Sequence, residues 1–289
     1  MEKLYKAIFF DWDGTAVLTR KDPSNEIIPV MTKLLEKGIN LFIISGTTYE
    51  NISGGRLHEK IPKNLLKNLY LGLGRGAYNY GFDNNGNIVL LYGNLPDMEL
   101  KIKIHSICFE IHKELLSRYG YETDIVFSRP NYCKIDLLVD LDRKDKLYLQ
   151  PDEIDIVSMK LREHGYQKGI KGLIDFASEL GQKAGIKIKA TTDAKYLEVG
   201  ISTKSDNVDT LLDQVVFKKG IDIKECCFWG DEFTFLGDEI QGSDAYMITE
   251  KSVKADFFDV SESPLGLPPV VKHVGGGVER FREFLESQI

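Results

Sequence analysis

Apolar positions along the chain fall into two kinds of pattern. In the first 74 residues the runs are short and continuous: "YKAIFF" (5–10), "INLFIISG" (39–46) and "LYLGLG" (69–74). Such runs predict strands buried on both faces. Between the first two, "EIIPVMTKLLEKG" (26–38) spaces its apolar residues at helical intervals and stops at Gly38, so it predicts an amphipathic helix. The same grammar returns near the other end. "SDNVDTLLDQVVFKKG" predicts a helix, "ECCFWGD" a strand, "DEFTFLGDEIQG" a short helix, "DAYMIT" a strand and "GVERFREFLESQ" a closing helix. Apolar strands alternating with helices predict a parallel sheet covered on both faces.

The middle of the chain alternates instead. "YNYGFDNNGNIVLLYG" switches between apolar and polar positions around an "NNGN" turn, which predicts a hairpin. A long helix is expected from Asp97 to Tyr119, strand material in "IVFSRPNYCKIDLLVD", and helices near 152–164 and 171–184. "IKIKATTDAKYLEVG" predicts a second hairpin. The expectation is an α/β core built from residues 1–78 and 203–289, with an α+β domain inserted as residues 79–202.

Composition narrows the function classes. With 289 residues and 43% apolar content the chain can build one large core or two ordinary ones. A net charge of −7 and no basic stripe argue against nucleic acid, because nothing would neutralise the phosphates. No apolar run reaches the roughly 18–20 residues that span a bilayer, and no signal-peptide pattern opens the sequence. The four cysteines, Cys108, Cys133, Cys226 and Cys227, form no CxxC pair. Reduced thiols and a cytoplasmic location are therefore expected, which leaves the sequon at Asn51 without meaning.

The candidate chemistry sits where strands end. In "KAIFFDWDGTAVLTR" a strand runs straight into Asp11 and Asp13, then Gly14 and Thr15. Ser45 and Gly46 follow "LFII", and Asp231 follows "CCFWG". Ligands of open parallel sheets bind beyond the carboxyl ends of the strands, so these groups should share one crevice. Carboxylates gathered there repel one another unless a proton or cation intervenes. Hard oxygen ligands suit Mg²⁺, and such a site suits phosphoryl transfer.

These residues carry a resemblance. The sequence resembles the haloacid dehalogenase superfamily of phosphohydrolases. "DWDGT" at 11–15 matches that family's first motif, DxDG[TV]; "IISG" at 43–46 matches the second. Lys204 in "GISTKSDNVDTLL" matches the third, and "WGDEFTFLGDE" at 229–239 the fourth. The long insertion resembles the type-two cap of Cof-like sugar phosphatases and of phosphomannomutase. Arg75 in "LGLGRGAYNYG" stands where an Asn is common, and the gap from Asp231 to Asp238 exceeds the GDxxND of sugar phosphatases.

The resemblance implies a Rossmann-like core and a role for each residue. Asp11 would be the nucleophile and Asp13 the general acid and base, its backbone carbonyl also serving Mg²⁺. Ser45 and Gly46 would hold the transferring phosphoryl group, and Lys204 would neutralise charge there. Asp231 would ligate the metal together with Asp11, supported by Asp238, with Glu232 and Glu239 as alternatives. In the inserted domain Arg129, Asn131 and Lys134 could grip the substrate, or be ordinary residues of a strand edge. The implied partner is a small phosphorylated metabolite, above all a sugar phosphate. A phosphomutase is the alternative, and a non-catalytic binding protein on the same fold a third reading.

Other motifs read as structure. "GISTKS" lacks the glycine that a phosphate loop places before its lysine, and "GLGRG" (72–76) lacks full dinucleotide spacing. "VGGGVER" reads as a helix-entry loop before an anion cradle. His105 and His112, seven apart on a helix, are unsuited to one metal, and Trp12 should pack in the core.

Overall fold

The computed structural model describes residues 3–140, 153–236, 240–262, 264 and 266–289. The described residues divide into two units. The first comprises residues up to Asn94, Lys204–Thr234 and Asp244–Ile289. Its strands are β1 (Ala7–Phe10), β2 (Asn40–Ser45), β3 (Leu69–Leu73), β4 (Tyr78–Phe82) and β5 (Ile88–Gly93). The second unit, Leu95–Thr203 with Phe235–Ser243, holds β6 (Asp124–Val126), β7 (Tyr132–Asp136), β8 (Lys189–Thr192) and β9 (Tyr196–Gly200). The first unit resumes with β10 (Cys226–Gly230), β11 (Asp256–Asp259) and β12 (Val271–His273). The helices are α1 (Ile27–Glu36), α2 (Met98–Tyr119), α3 (Glu153–Glu163), α4 (Gly169–Lys183), α5 (Lys204–Leu211) and α6 (Gly277–Ser287).

The first unit is one eight-stranded sheet in the order β12-β11-β10-β1-β2-β3-β4-β5. Strands β12 through β3 run parallel, and β4 and β5 add an antiparallel hairpin. The central strands are apolar on both faces because helices cover both. On one face Phe9 stacks on Phe42 at 4.1 Å and on Phe228 at 4.4 Å, and Phe228 on Phe257 at 4.8 Å. Val208 and Leu211 of α5 belong to that cluster. On the other face Ile8, Phe10 and Trp229 join Met31 and Leu34 of α1 and Phe281 of α6. Trp12 is buried in this cluster.

Three sequence expectations change. The hairpin of β4 and β5 extends the core sheet, so the second unit begins at Leu95 and not at residue 79. The cause is the turn at Gly74–Gly76, whose residues all have positive φ and which folds β4 back onto β3. Asn207 of α5 fixes it: Gly76 N donates to Asn207 Oδ1 at 2.7 Å, and Asn207 Nδ2 donates to Tyr78 O at 3.0 Å. "GLGRG" is therefore structural. Second, the described part of 231–242 forms no helix but an antiparallel bridge between Phe235 and Gln241. Third, "DAYMIT" is not a strand: Ser243–Met247 is a 3₁₀ turn, and the next strand is β11, "DFFD".

The second unit carries the four-stranded antiparallel sheet β6-β7-β9-β8 with α2 and α4 packed on it. Helix α2 starts as read, Asp97 accepting from Leu100 N at 2.8 Å, and ends at left-handed Gly120. His112 Nδ1 bonds Thr123 Oγ1 at 2.6 Å while His105 lies against Phe127 with the rings tilted by 44°, so the two histidines have different partners. At "VGGGVER" the amides of Val274 and Gly275 donate to Asp259 O and that of Gly277 to Val260 O. That loop is a helix entry in which the N–H groups of Val274, Gly275 and Gly277 are already used. All four cysteines are free and buried, and no described helix is long and apolar enough to cross a membrane.

Candidate active site

Parallel neighbours β10, β1 and β2 end side by side, and each hands over a polar residue. Asp11 follows β1, with its N–H donating to Trp229 O at 3.0 Å, Ser45 closes β2, and Asp231 follows β10. The turn after Asp11 is held against Asp231: Thr15 Oγ1 donates to Asp231 Oδ1 at 3.0 Å. Gly14 has φ +79°, and a Cβ there would lie 2.1 Å from Asp231 Oδ2. A side chain at Gly14 is thus barred by backbone conformation and by space. Gly14→Ala should lower the melting temperature by several degrees, since a strained non-glycine φ costs ~1–3 kcal/mol. An unchanged melting curve would show that the turn relaxes without cost.

Lys204, the first residue of α5, is buried between two carboxylates. Its Nζ lies 3.0 Å from Asp11 Oδ1 and donates to Asp244 Oδ1 at 2.7 Å. Asp244 joins this candidate site without a signal of its own in the sequence. It is fully buried in the 3₁₀ turn Ser243–Met247, and its Oδ2 accepts from Glu232 N at 2.8 Å. It also packs over Gly230, where a Cβ would fall 2.4 Å from Asp244 Oδ2. Asp238 lies outside the described residues, as does Glu239. Among the described acidic groups, Asp11, Asp231 and Asp244 bring carboxylate oxygens within 4.8 Å of one another.

The electrostatics of this cluster suit a proton or a cation among the carboxylates. Burial, only partly offset by Lys204, pushes Asp11 well above the ordinary carboxylate range, with Asp244 and Asp13 adding repulsion. Asp231 is raised well above that range by burial and by Asp244, Glu232 and Asp11. Burial works against the Lys204 ammonium, but Asp11 and Asp244 outweigh it and hold its pKa above the usual lysine value. One ammonium cannot balance the buried carboxylates of Asp11 and Asp244 together with the half-buried one of Asp231. A compact hard cation fits this donor set, which is all oxygen.

Asp13 points to a different partner. Its Oδ2 pairs with Arg20 at 2.6 Å, and Arg20 also donates to Thr47 Oγ1 at 3.0 Å. The guanidinium so links the loop after β1 to the loop after β2. Arg20 had no signal in the sequence beyond its charge. Ser45 Oγ accepts from Thr47 N at 3.3 Å. Buried Arg75 borders Gly46, its Cγ 3.5 Å from where a Cβ would stand. Arg75 therefore borders the loop that holds Ser45 and Gly46.

In the second unit, Asn131 is buried and donates to Ser202 Oγ at 2.5 Å. Lys134 pairs with Glu198 at 3.0 Å across β7 and β9 and lies over the Tyr196 ring. Arg129 is exposed ahead of β7. These three are not a cluster of one kind: two are engaged within the sheet and one faces solvent.

No protein-family model matches the chain. No curated protein matches it. Solved structures do. The N-terminally truncated IMP-nucleotidase of Plasmodium falciparum superposes with a TM-score of 0.60 at 14% identity, over 99% of this chain and 70% of that one. The sucrose-phosphatase of Synechocystis, solved with sucrose and phosphate, gives 0.54 at 14% identity, over 99% and 97%. A protein of Eubacterium rectale gives 0.54 at 14%, over 99% of both chains. The fold is the α/β haloacid dehalogenase fold with an added α+β unit.

Proposed function

We propose that this protein is a magnesium-dependent phosphatase that hydrolyses a small phosphorylated metabolite, a sugar phosphate, through an aspartyl-phosphate on Asp11. The observation that carries the reading is Lys204, whose one ammonium touches Asp11 and Asp244 while Asp231 completes the carboxylate set. With a cation held by those carboxylates, such a site would receive a dianion beside a nucleophile. The fold shared with a nucleotidase and a sucrose-phosphatase supports the reading.

Asp11 attacks phosphorus, a new P–O bond forms to its carboxylate, and the bond to the leaving oxygen breaks. Asp13 gives that oxygen a proton, then takes one from the water that attacks the aspartyl-phosphate and returns Asp11. Ser45 and the Gly46 N–H hold the phosphoryl oxygens, and Lys204 neutralises charge on the nucleophile and the incoming group. Arg20 holds Asp13 Oδ2; Asp13 Oδ1 is buried and makes no hydrogen bond among the described residues. Mg²⁺ would be held by Asp11, Asp231 and Asp244, and would supply positive charge for the phosphoryl oxygens.

Asp13→Asn should slow turnover by about 10²–10⁴, the range for a lost general acid. The loss should fall on kcat; a rise in KM alone would contradict the role. The function itself is tested by phosphate release over a broad panel of phosphorylated metabolites, with Mg²⁺ and with EDTA. Release from one sugar phosphate that EDTA suppresses supports the reading. A folded protein that releases phosphate from no member of the panel overturns it.

A further inference from the structure

Helix α2 carries a second apolar stripe that the fold does not use. Its buried face, Ile104, Ile107, Cys108, Ile111 and Leu115, packs into the second unit's core. Beside that face Met98, Ile102, Phe109 and Leu116 are 71%, 56%, 53% and 44% exposed. His105 and His112 fall in the same row. Phe127, itself 41% exposed, packs at a tilt against His105 with ring centroids 4.7 Å apart and widens the patch. An apolar face this long on a helix of 22 residues is more than scattered surface hydrophobes.

The spacing along the row 98, 102, 105, 109, 112, 116 is 4, 3, 4, 3, 4. That is the seam of a two-helix coiled coil, and it reads the same from either end. A seam with this symmetry matches itself when a second copy lies antiparallel across a two-fold axis. Met98 then faces Leu116 of the second copy, Ile102 faces His112, and His105 faces Phe109. The flanking row is 99, 106 and 113. It sets Glu99 opposite Lys113 of the second copy, at both ends of the pair, with Ser106 opposite itself. Glu99 pairs with Lys103 at 2.9 Å and Lys113 with Glu110 at 3.0 Å along the helix, but their side chains are 80% and 57% exposed, so each can exchange that surface pair for one across the seam. A parallel pairing loses this match. It sets Lys113 near Cys108 of the other copy, which is buried in the core, and Glu99 near Asn94, before the helix starts. The net charge of −7 otherwise opposes self-association, which makes a locally neutral, complementary strip the place for it.

We propose that two copies of this chain associate through antiparallel packing of α2 against α2, sealed by reciprocal Glu99–Lys113 pairs. The inference is independent of the proposed reaction. Light scattering and sedimentation of the full chain over a concentration series test it. The wild type should be a dimer, and Phe109→Asp a monomer with unchanged circular dichroism. Glu99→Lys and Lys113→Glu should each raise the dimer dissociation constant about tenfold or more, because each sets like charges opposite one another at both ends. The double variant E99K/K113E should return near the wild-type value. Both positions are exposed, so these variants keep the test open even if Phe109→Asp fails to fold. A monomeric wild type overturns the proposal. So does a dimer indifferent to the single charge reversals, or a double variant that recovers nothing.

Discussion

Asp11→Asn should remove turnover almost completely, by more than about 10⁴-fold, while leaving the protein folded. The amide is nearly the size of the carboxylate but cannot form the bond to phosphorus that the proposed reaction needs. The site around it argues for retained or raised stability. Asp11 is buried among Asp244, Asp231 and Asp13 with one ammonium to share, and its own pKa is driven up by burial. Removing one negative charge relieves repulsion that the fold otherwise tolerates. The expected pattern is therefore lost phosphate release, an unchanged or higher melting temperature, and no ³²P trapped on the protein after brief exposure to labelled substrate. Turnover within tenfold of wild type would sink the nucleophile assignment.

Much of the core was legible because its signals are local. A short, continuous apolar run such as "KAIFF" bounded by a turn reads as a strand of a covered sheet, and a carboxylate at the carboxyl end of a parallel strand faces the ligand side of that sheet. Asp11 and Asp231 were found this way, and Lys204 through a motif at a helix start. Asp244 offered no such handle. It reaches the site from a short 3₁₀ turn, and "DAYMIT" mimics a strand by composition alone. Its signal is three-dimensional: it fills the space over Gly230 and meets Lys204, forty positions earlier in the chain. Arg20 was invisible for a related reason, since its contacts to Asp13 and Thr47 depend on two loops coming together.

The hairpin of β4 and β5 shows the opposite error. The sequence predicts its antiparallel pairing, and β4 and β5 do pair, but in the core sheet. Nothing in a hairpin's own sequence says which sheet it joins. The deciding contact is Asn207 reaching from α5 to the Gly76–Tyr78 turn, and Asn207 lies far along the chain. Strand β11 was missed because Asp256 and Asp259 bracket only two phenylalanines, too short a run to show a period.

Removal of the cation should have the second largest effect, and it separates the metal from the rest of the machinery. EDTA should abolish phosphate release and Mg²⁺ restore it, because without a cation Asp11, Asp231 and Asp244 would repel both one another and an incoming phosphate dianion. Ca²⁺ should restore little, since its larger and looser oxygen shell would misplace the nucleophile. Binding should also register without any substrate. A cation that binds only the folded chain stabilises it by about 2.7 kcal/mol at a hundred times its dissociation constant, a melting shift of several degrees. The sign of the pH dependence follows from the raised carboxylates. Asp11 and Asp231 have folded pKa values above their unfolded ones, so the cation-free protein loses stability as pH rises from the ordinary carboxylate range into the raised one. The Mg²⁺-induced shift should therefore grow as pH rises, because protons compete with the cation for the raised carboxylates. Asp231→Ala and Asp244→Ala should each shrink that shift, and Asp13→Asn should leave most of it. Full activity in EDTA, or a melting shift indifferent to Asp231→Ala and Asp244→Ala, would refute the carboxylate cluster as the metal site.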